Sequence, residues 1–384
     1  MVYQEYGPED LSAIVGQGWA DEVRAAPREY FIPDRAQATP MSDALSHWID
    51  RAEDPDRWRA AVYSDTTILT QVDDGATELT EETATRKIPS SSSTAPSLVG
   101  DFLDLLDPRP GDRVLEIGAG TGWTAALLSA RLGDQAVTTV EVDEQVAKRA
   151  EENLRRAGFA PRVVIGDGAL GHPDGAPYDR VHVTCGISTV PYAWVEQTRP
   201  GGVIALPWLP NSVRGQQLVL TVSDGQAVGR FHGRASFMMM RAQRGELPPP
   251  VDEPRYSSTR VEPSRIFEAG PGFTAALSVL LPGVLLTNWE WGEDRGTLRD
   301  PASVSYASAS GTGLGGSAEA MQVGPRDLWS ELEDAYRTWL KWGSPGVERL
   351  GVTVDRTGQH VWVDSSENRI AEGTEGPWDN TARK

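Results

Sequence analysis

One stretch constrains the fold of this 384-residue chain more than any other: Val114-Leu115-Glu116-Ile117-Gly118-Ala119-Gly120-Thr121-Gly122. An apolar run carrying one acid leads into three glycines at alternate positions. The run reads as a buried strand and the glycines as a tight turn before the helical pattern Trp123 to Arg131. Open α/β sheets bind ligands in the crevice at the carboxyl ends of their strands. Glycine there allows positive φ and a close approach of backbone to ligand.

The flanking sequence repeats the pattern. Ala136 to Val142, Arg162 to Ile165 and Tyr178 to Thr184 read as further strands, with a charged amphipathic helix from Glu144 to Ala157. Strand–helix alternation of this kind predicts an α/β fold: a Rossmann-like parallel sheet with helices on both faces. Strands near 217–222 and 228–240 are expected to complete it. Upstream, residues 60–72 read as extended, Asp73 to Arg86 as a polar linker, and Leu98, Val99, Phe102, Leu105 and Leu106 as a helix stripe. Downstream, RGELPPPVDEPRYSS is expected to be a linker. Beyond it a helix starting at Gly324-Pro325 and a hairpin spanning Val352 to Val363 predict a smaller C-terminal α+β extension. Residues 311–317, GTGLGGS, are expected to be flexible. The composition divides the chain into 1–96, a ligand-binding core at 97–245 and an extension at 246–384.

The acids at the strand ends narrow the ligand. A dinucleotide loop presents N–H groups to a pyrophosphate, which a carboxylate at the position of Glu116 would oppose. S-adenosyl-L-methionine has no phosphate and carries an ammonium and a sulfonium, so a carboxylate favours it. Glu141, with Val142 beside it, is placed to accept bonds from both ribose hydroxyls. Asp167 and Gly168, after the next strand, are placed for the adenine. Gly118, Gly120, Thr121, Gly122 and Thr184 complete the expected cofactor set, with S-adenosyl-L-homocysteine as product. The glycines could otherwise be plain turn residues and the acids helix caps; their order at three successive strand ends favours the cofactor.

Composition excludes other classes. The net charge of −19 argues against a nucleic-acid partner. No apolar run is long enough for a transmembrane helix, and the N-terminus lacks a signal pattern, so a cytoplasmic protein is expected. The single cysteine, Cys185, excludes an internal disulfide. No metal site is expected, since no ligand cluster surrounds His172 or His182. Of thirteen tryptophans, Trp329, Trp339 and Trp342 read as helix packing in the extension.

Several segments together resemble the protein-L-isoaspartate O-methyltransferase family over roughly residues 20–240. They are Pro27-Arg28-Glu29-Tyr30-Phe31-Ile32-Pro33, Tyr63-Ser64-Asp65, Ser92-Ser93-Thr94-Ala95-Pro96, Pro110 to Gly118, Val164 to Gly168, Ala176 to Asp179, and Glu196-Gln197 through Pro200-Gly201-Gly202 to Leu206-Pro207. The resemblance implies methyl transfer from S-adenosyl-L-methionine to a carboxylate of a peptide. The family's active-site serine falls on Thr94, and its small-residue run after the fourth strand is replaced by Thr184 to Pro191. The enzyme that repairs isoaspartate normally stops near where the extension here begins. These departures resemble an actinobacterial subgroup associated with ribosomally made modified peptides, which methylates an aspartate so that an aspartimide forms. Thr94 and Ser93 are then the expected hydroxyl donors to the acceptor. Ser188, Thr189 and Val190 are expected to contact the peptide backbone. Tyr63 and Asp65 either touch substrate or form a turn that packs the N-terminal segment. The expected partner is a peptide, a modified precursor peptide in the finer reading. Other readings are a nicotinamide oxidoreductase, a small-molecule methyltransferase and a binding module that has lost activity.

Overall fold

The structure, a computed structural model, describes residues 7–211, 214–246, 248–249, 251–287, 295–310 and 318–370. The expected flexible stretch 311–317 lies outside them. By internal packing the chain divides into two units, Met1–Cys185 with Glu196–Leu206, and Gly186–Val195 with Pro207–Lys384.

The first unit opens with helices α1 (Pro8–Val15) and α2 (Ala20–Ala25). There follow β1 (Arg35–Pro40), β2 (His47–Asp50), α3 (Pro55–Val62), β3 (Thr66–Val72), α4 (Glu81–Arg86) and β4 (Pro89–Ser93). The four strands form an antiparallel sheet in the order β2-β1-β3-β4. Two expectations fail here. Residues 60–62 end a helix rather than begin a strand, because Asp54 accepts a bond from the Arg57 amide and Pro55 sits in the first turn. The polar stretch 73–86 contains α4, capped by Thr80 on the Thr83 amide. In both places local capping outweighed composition. The serine run is a strand, β4, and not a solvated linker.

Helix α5 (Pro96–Leu106) buries Val99, Phe102, Leu103 and Leu106. The parallel sheet follows: β5 (Val114–Ile117), α6 (Trp123–Leu132), β6 (Val137–Glu141), α7 (Glu144–Arg156), β7 (Arg162–Ile165), β8 (Tyr178–Val183), α8 (Tyr192–Gln197) and β9 (Thr198–Trp208). The order within the first unit is β9-β8-β5-β6-β7, all parallel. All four residues of β5 are buried. A central parallel strand is covered on both faces, so its apolar run is continuous and the acid within it stands out.

The second unit contains β10 (Arg214–Ser223), β11 (Gln226–Ser236), β12 (Arg255–Ser258), α9 (Pro263–Phe267) and α10 (Pro271–Leu280). These are followed by β13 (Leu285–Thr287), β14 (Arg295–Asp300), β15 (Ser305–Ser310), β16 (Glu319–Val323), α11 (Leu328–Lys341), β17 (Leu350–Asp355) and β18 (Gly358–Val363). Strands β10-β11-β17-β18 are antiparallel neighbours, and a five-stranded sheet runs β12-β16-β15-β14-β13. Ala227 to Arg230 pair with Val354 to Gly351. Residues 207–245 therefore pack with the extension, although composition groups them with the ligand-binding core. The proline-rich stretch is more than a linker, since Arg255 to Ser258 pair with β16. The helix expected at Gly324-Pro325 begins at Leu328. Gly324 turns at φ 88, and Arg326 is held by Asp300 at 2.8 Å, so the intervening residues anchor the turn.

Candidate functional site

The glycine turn has the conformation its sequence demands. Gly118, Gly120 and Gly122 have φ of 99°, 53° and 90°. A Cβ on Gly118 would lie 2.5 Å from the Thr184 hydroxyl oxygen, and one on Gly122 would lie 3.2 Å from the Ala150 carbonyl oxygen. The Thr184 hydroxyl reaches the carbonyls of Gly118 at 2.6 Å and Ile117 at 3.0 Å. Thr184, expected to touch cofactor, is thus a brace under the turn. Thr121 is buried, and its carbonyl accepts from Asn153 at 3.1 Å, so it too anchors the loop. The Gly120 amide points at Glu141 Oε2, 3.1 Å away.

Glu116 is wholly buried. Its Oε2 accepts from the Thr139 hydroxyl at 2.6 Å, and its Oε1 has no hydrogen-bond partner. Burial pushes its pKa up to about 8, the neighbouring Glu141 charge adds to this, and the Thr139 bond opposes it. A nearby cation would relieve the cost of its charge and favour its ionised form.

Glu141 ends β6 with one oxygen on the Gly120 amide and the other on the Asp143 amide at 3.1 Å. Both oxygens are oriented before any ligand arrives. Next to it lies an apolar shelf: Val142 is 45 % exposed, Ile165 53 % and Leu170 67 %. Exposed apolar side chains next to an oriented carboxylate suit a flat, partly apolar ligand. Asp167 is exposed at the end of the shelf, its Oδ1 accepting from the Ala169 amide at 2.9 Å. The residues present suit S-adenosyl-L-methionine: an oriented carboxylate, exposed apolar side chains and a second carboxylate match the chemistry of a ribose and an adenine, and a buried acid that of a cationic end. Ile165 and Leu170 were not picked out from sequence. The available signal was an apolar residue on either side of the strand-end acid.

The acceptor side lies in the same unit. The Ser92 carbonyl passes 3.3 Å from where a Cβ on Gly120 would stand, so the end of β4 runs beside the glycine turn. The two candidate hydroxyls have different surroundings, Ser93 ending β4 and Thr94 lying between β4 and α5. Ser93 is buried, and its Oγ accepts from the Arg28 guanidinium at 3.3 Å. Thr94 is partly exposed, and its hydroxyl has no hydrogen-bond partner among the described residues. Ser93 is thus an anchor, and Thr94 is the available donor. Tyr63 is 1 % exposed beneath the Arg59 guanidinium. The Asp65 carboxylate accepts from the Ser97 amide at 3.0 Å, in the first turn of α5. Both therefore serve packing, and neither is held as a substrate contact.

In the second unit, Ser188, Thr189 and Val190 are engaged internally. Gln243 Oε1 accepts from the amides of Ser188 and Thr189 and from the Ser188 hydroxyl, at 2.8, 3.0 and 2.8 Å. Gln359 Oε1 accepts from the Val190 amide at 3.2 Å. The amides of this segment are thus satisfied by glutamine side chains, while Thr189 stays exposed. Glutamines fifty or more residues away left no local signal in the sequence.

His172 and His182 are buried, and burial lowers the His182 pKa to about 4. No group of three or more potential metal ligands occurs among the described residues. No described helix is long and apolar enough to cross a membrane. Trp329, Trp339 and Trp342 are buried in the extension.

Comparison with known proteins agrees with this geometry. The family profile described as Protein-L-isoaspartate(D-aspartate) O-methyltransferase (PCMT) matches residues 41–242. A protein-L-isoaspartate O-methyltransferase of Methanopyrus kandleri is 39 % identical over 155 residues, which is 40 % of this chain and 69 % of that one. One from Thermococcus onnurineus is 39 % identical over 156 residues, covering 40 % and 70 %. A solved structure titled protein-L-isoaspartate O-methyltransferase superposes with TM-score 0.53 at 22 % identity, covering 93 % of this chain and 100 % of that chain. A related fold therefore extends well past the matched catalytic segment. The chain belongs to the protein-L-isoaspartate O-methyltransferase family, S-adenosyl-L-methionine-dependent carboxyl methyltransferases acting on isoaspartyl or aspartyl residues of peptides.

Proposed function

We propose that this enzyme methylates the side-chain carboxylate of an aspartyl residue in a ribosomally made modified peptide. The observation that carries the reading is Thr94, a partly exposed residue whose hydroxyl has no internal partner among the described residues, where the family places serine. Its methyl group changes the space beside the acceptor. A peptide carboxylate is ionised at neutral pH, so the chain has no proton to remove. Its task is to hold one carboxylate oxygen in line with the donated carbon. When bound, S-adenosyl-L-methionine supplies an activated methyl group. Thr94 donates to the other carboxylate oxygen and sets its orientation. In the methyl ester, the backbone nitrogen of the following residue forms a C–N bond to the ester carbon. The C–O bond to methoxide breaks, the nitrogen's proton leaves with it as methanol, and an aspartimide remains. The C-terminal extension is assigned to peptide recognition.

A second reading is repair of isoaspartyl peptides. The superposition over 93 % of this chain favours it, because an extension is then no mark of a tailoring enzyme. Mass spectrometry separates the two. The protein is incubated with S-adenosyl-L-methionine and either a linear isoaspartyl peptide or an aspartate-containing cyclised peptide encoded beside the gene. Tailoring requires that the second alone gain a methyl and then lose methanol. Efficient methylation of the linear isoaspartyl peptide alone establishes repair. In either case Thr94→Val is expected to lower kcat/KM about 10- to 100-fold, the loss of one hydrogen bond to a charged group. Thr94→Ser should retain activity.

A further inference from the structure

Arg28 is the one arginine of the first unit with no accessible surface, and no carboxylate bonds to it. Its Nη1 donates to the Val62 carbonyl at 3.1 Å. Its Nη2 lies 2.8 Å from the Thr66 carbonyl, 2.9 Å from the Thr94 carbonyl, and 3.3 Å from both the carbonyl and hydroxyl of Ser93. Nη2 has two hydrogens; the two shorter bonds run to the first residue of β3 and to Thr94, and Ser93 shares them at the longer distance. The guanidinium also lies 5.1 Å from the ring of Trp123, the residue that follows the glycine turn. Trp123 is itself tied to the Ala26 carbonyl at 3.0 Å. A single cation thus joins the acceptor strand, the N-terminal segment and the start of α6.

A buried charge is costly unless its bonds are made, and simple packing would be met more cheaply by an apolar residue of the same volume. The planar fork of arginine can hold several carbonyls in fixed directions, which lysine cannot do. Burial lowers the Arg28 pKa to about 9, against the raising effect of nearby Asp65, so the group remains a cation at neutral pH. Its Nε has no partner, so the Nη bonds carry the compensation, shared between the Val62 and Thr66 carbonyls and the Thr94 segment.

We propose that Arg28 is a positioning residue for methyl transfer, fixing the backbone at Thr94 so that the threonine hydroxyl meets the acceptor carboxylate. The proposal rests on the reading of Thr94 given above. The test is a double-mutant cycle of Arg28→Lys and Thr94→Val in the full-length protein. It is read as kcat and KM for the peptide, cofactor affinity by calorimetry, and Tm. Arg28→Lys is expected to lower kcat about tenfold or more while cofactor affinity stays within about twofold, and its effect should shrink in the Thr94→Val background. Unchanged kcat in folded Arg28→Lys, or losses that simply multiply in the double variant, would overturn the proposal. If Thr94→Val alone is silent, the reading of Thr94 fails, and the proposal fails with it. Should Arg28→Lys not fold, Ser93→Ala removes one acceptor of the same fork. It is expected to lower kcat about threefold with cofactor affinity kept, and unchanged kcat would overturn the proposal.

Discussion

Glu116 in the first unit and Glu333 in the second are both almost wholly buried carboxylates. Their surroundings differ. Glu333 accepts from Arg260 Nε and the Arg260 amide, both at 2.6 Å, and from the Val261 amide at 3.0 Å. Glu116 has one hydroxyl partner and one oxygen without any. A satisfied buried carboxylate is structural, joining the α11 helix to the segment before α9. A half-satisfied one is held at a cost that folding alone does not recover, and such groups cluster where a ligand or reaction uses them. The difference separates a carboxylate left half-satisfied beside the glycine turn from one that holds two segments of its own unit together.

Three experiments break or sharpen that contrast. The largest effect is expected from Gly118→Ala in the first unit. Positive φ costs a side chain about 1–2 kcal/mol, and the Cβ also meets the Thr184 oxygen at 2.5 Å. Cofactor affinity measured by calorimetry should fall about 100-fold or more; unchanged affinity would show that the turn does not hold the cofactor. Next, Glu333→Ala leaves two amides and a guanidinium without their acceptor and should lower stability by about 2–3 kcal/mol, seen as a lower Tm. Cofactor affinity should not change. A loss of affinity there would show that the second unit is not energetically separate from the ligand site.

The smallest effect is a pH dependence. Between the ordinary carboxylate range and about 8, native Glu116 holds a proton that the unfolded chain has released. Stability should therefore fall as pH rises through that window, and Glu116→Gln should flatten the profile. A cation bound nearby lowers the Glu116 pKa, so cofactor binding at pH 7 should release protons, measurable by calorimetry in buffers of different ionisation enthalpy. Equal proton release in Glu116→Gln would show that another group is responsible.

The cofactor half of the site was legible because its requirements are local. A turn with positive φ needs glycine, and a strand end needs its acid at a fixed offset. The acceptor half was legible only in part. Ser93 and Thr94 are neighbours in sequence and close in chemistry, but Ser93 is buried at the end of β4 and Thr94, just past it, is partly exposed. Tyr63 and Asp65 stand in a motif that is the same whether they touch substrate or hold α5, and the Asp65–Ser97 bond decides for the helix. Ser188 to Val190 looked open because their partners, Gln243 and Gln359, come from remote strands and turns.

By itself, the sequence determined the parallel α/β core and the cofactor, because each depends on backbone conformation and charge within a few residues. Only the tertiary structure decided which hydroxyl is free, that Arg28 holds its segment, and that residues 207–245 pack with the extension. Each of those depends on long-range pairing, in which the polar groups of one segment are satisfied by another far away in the chain.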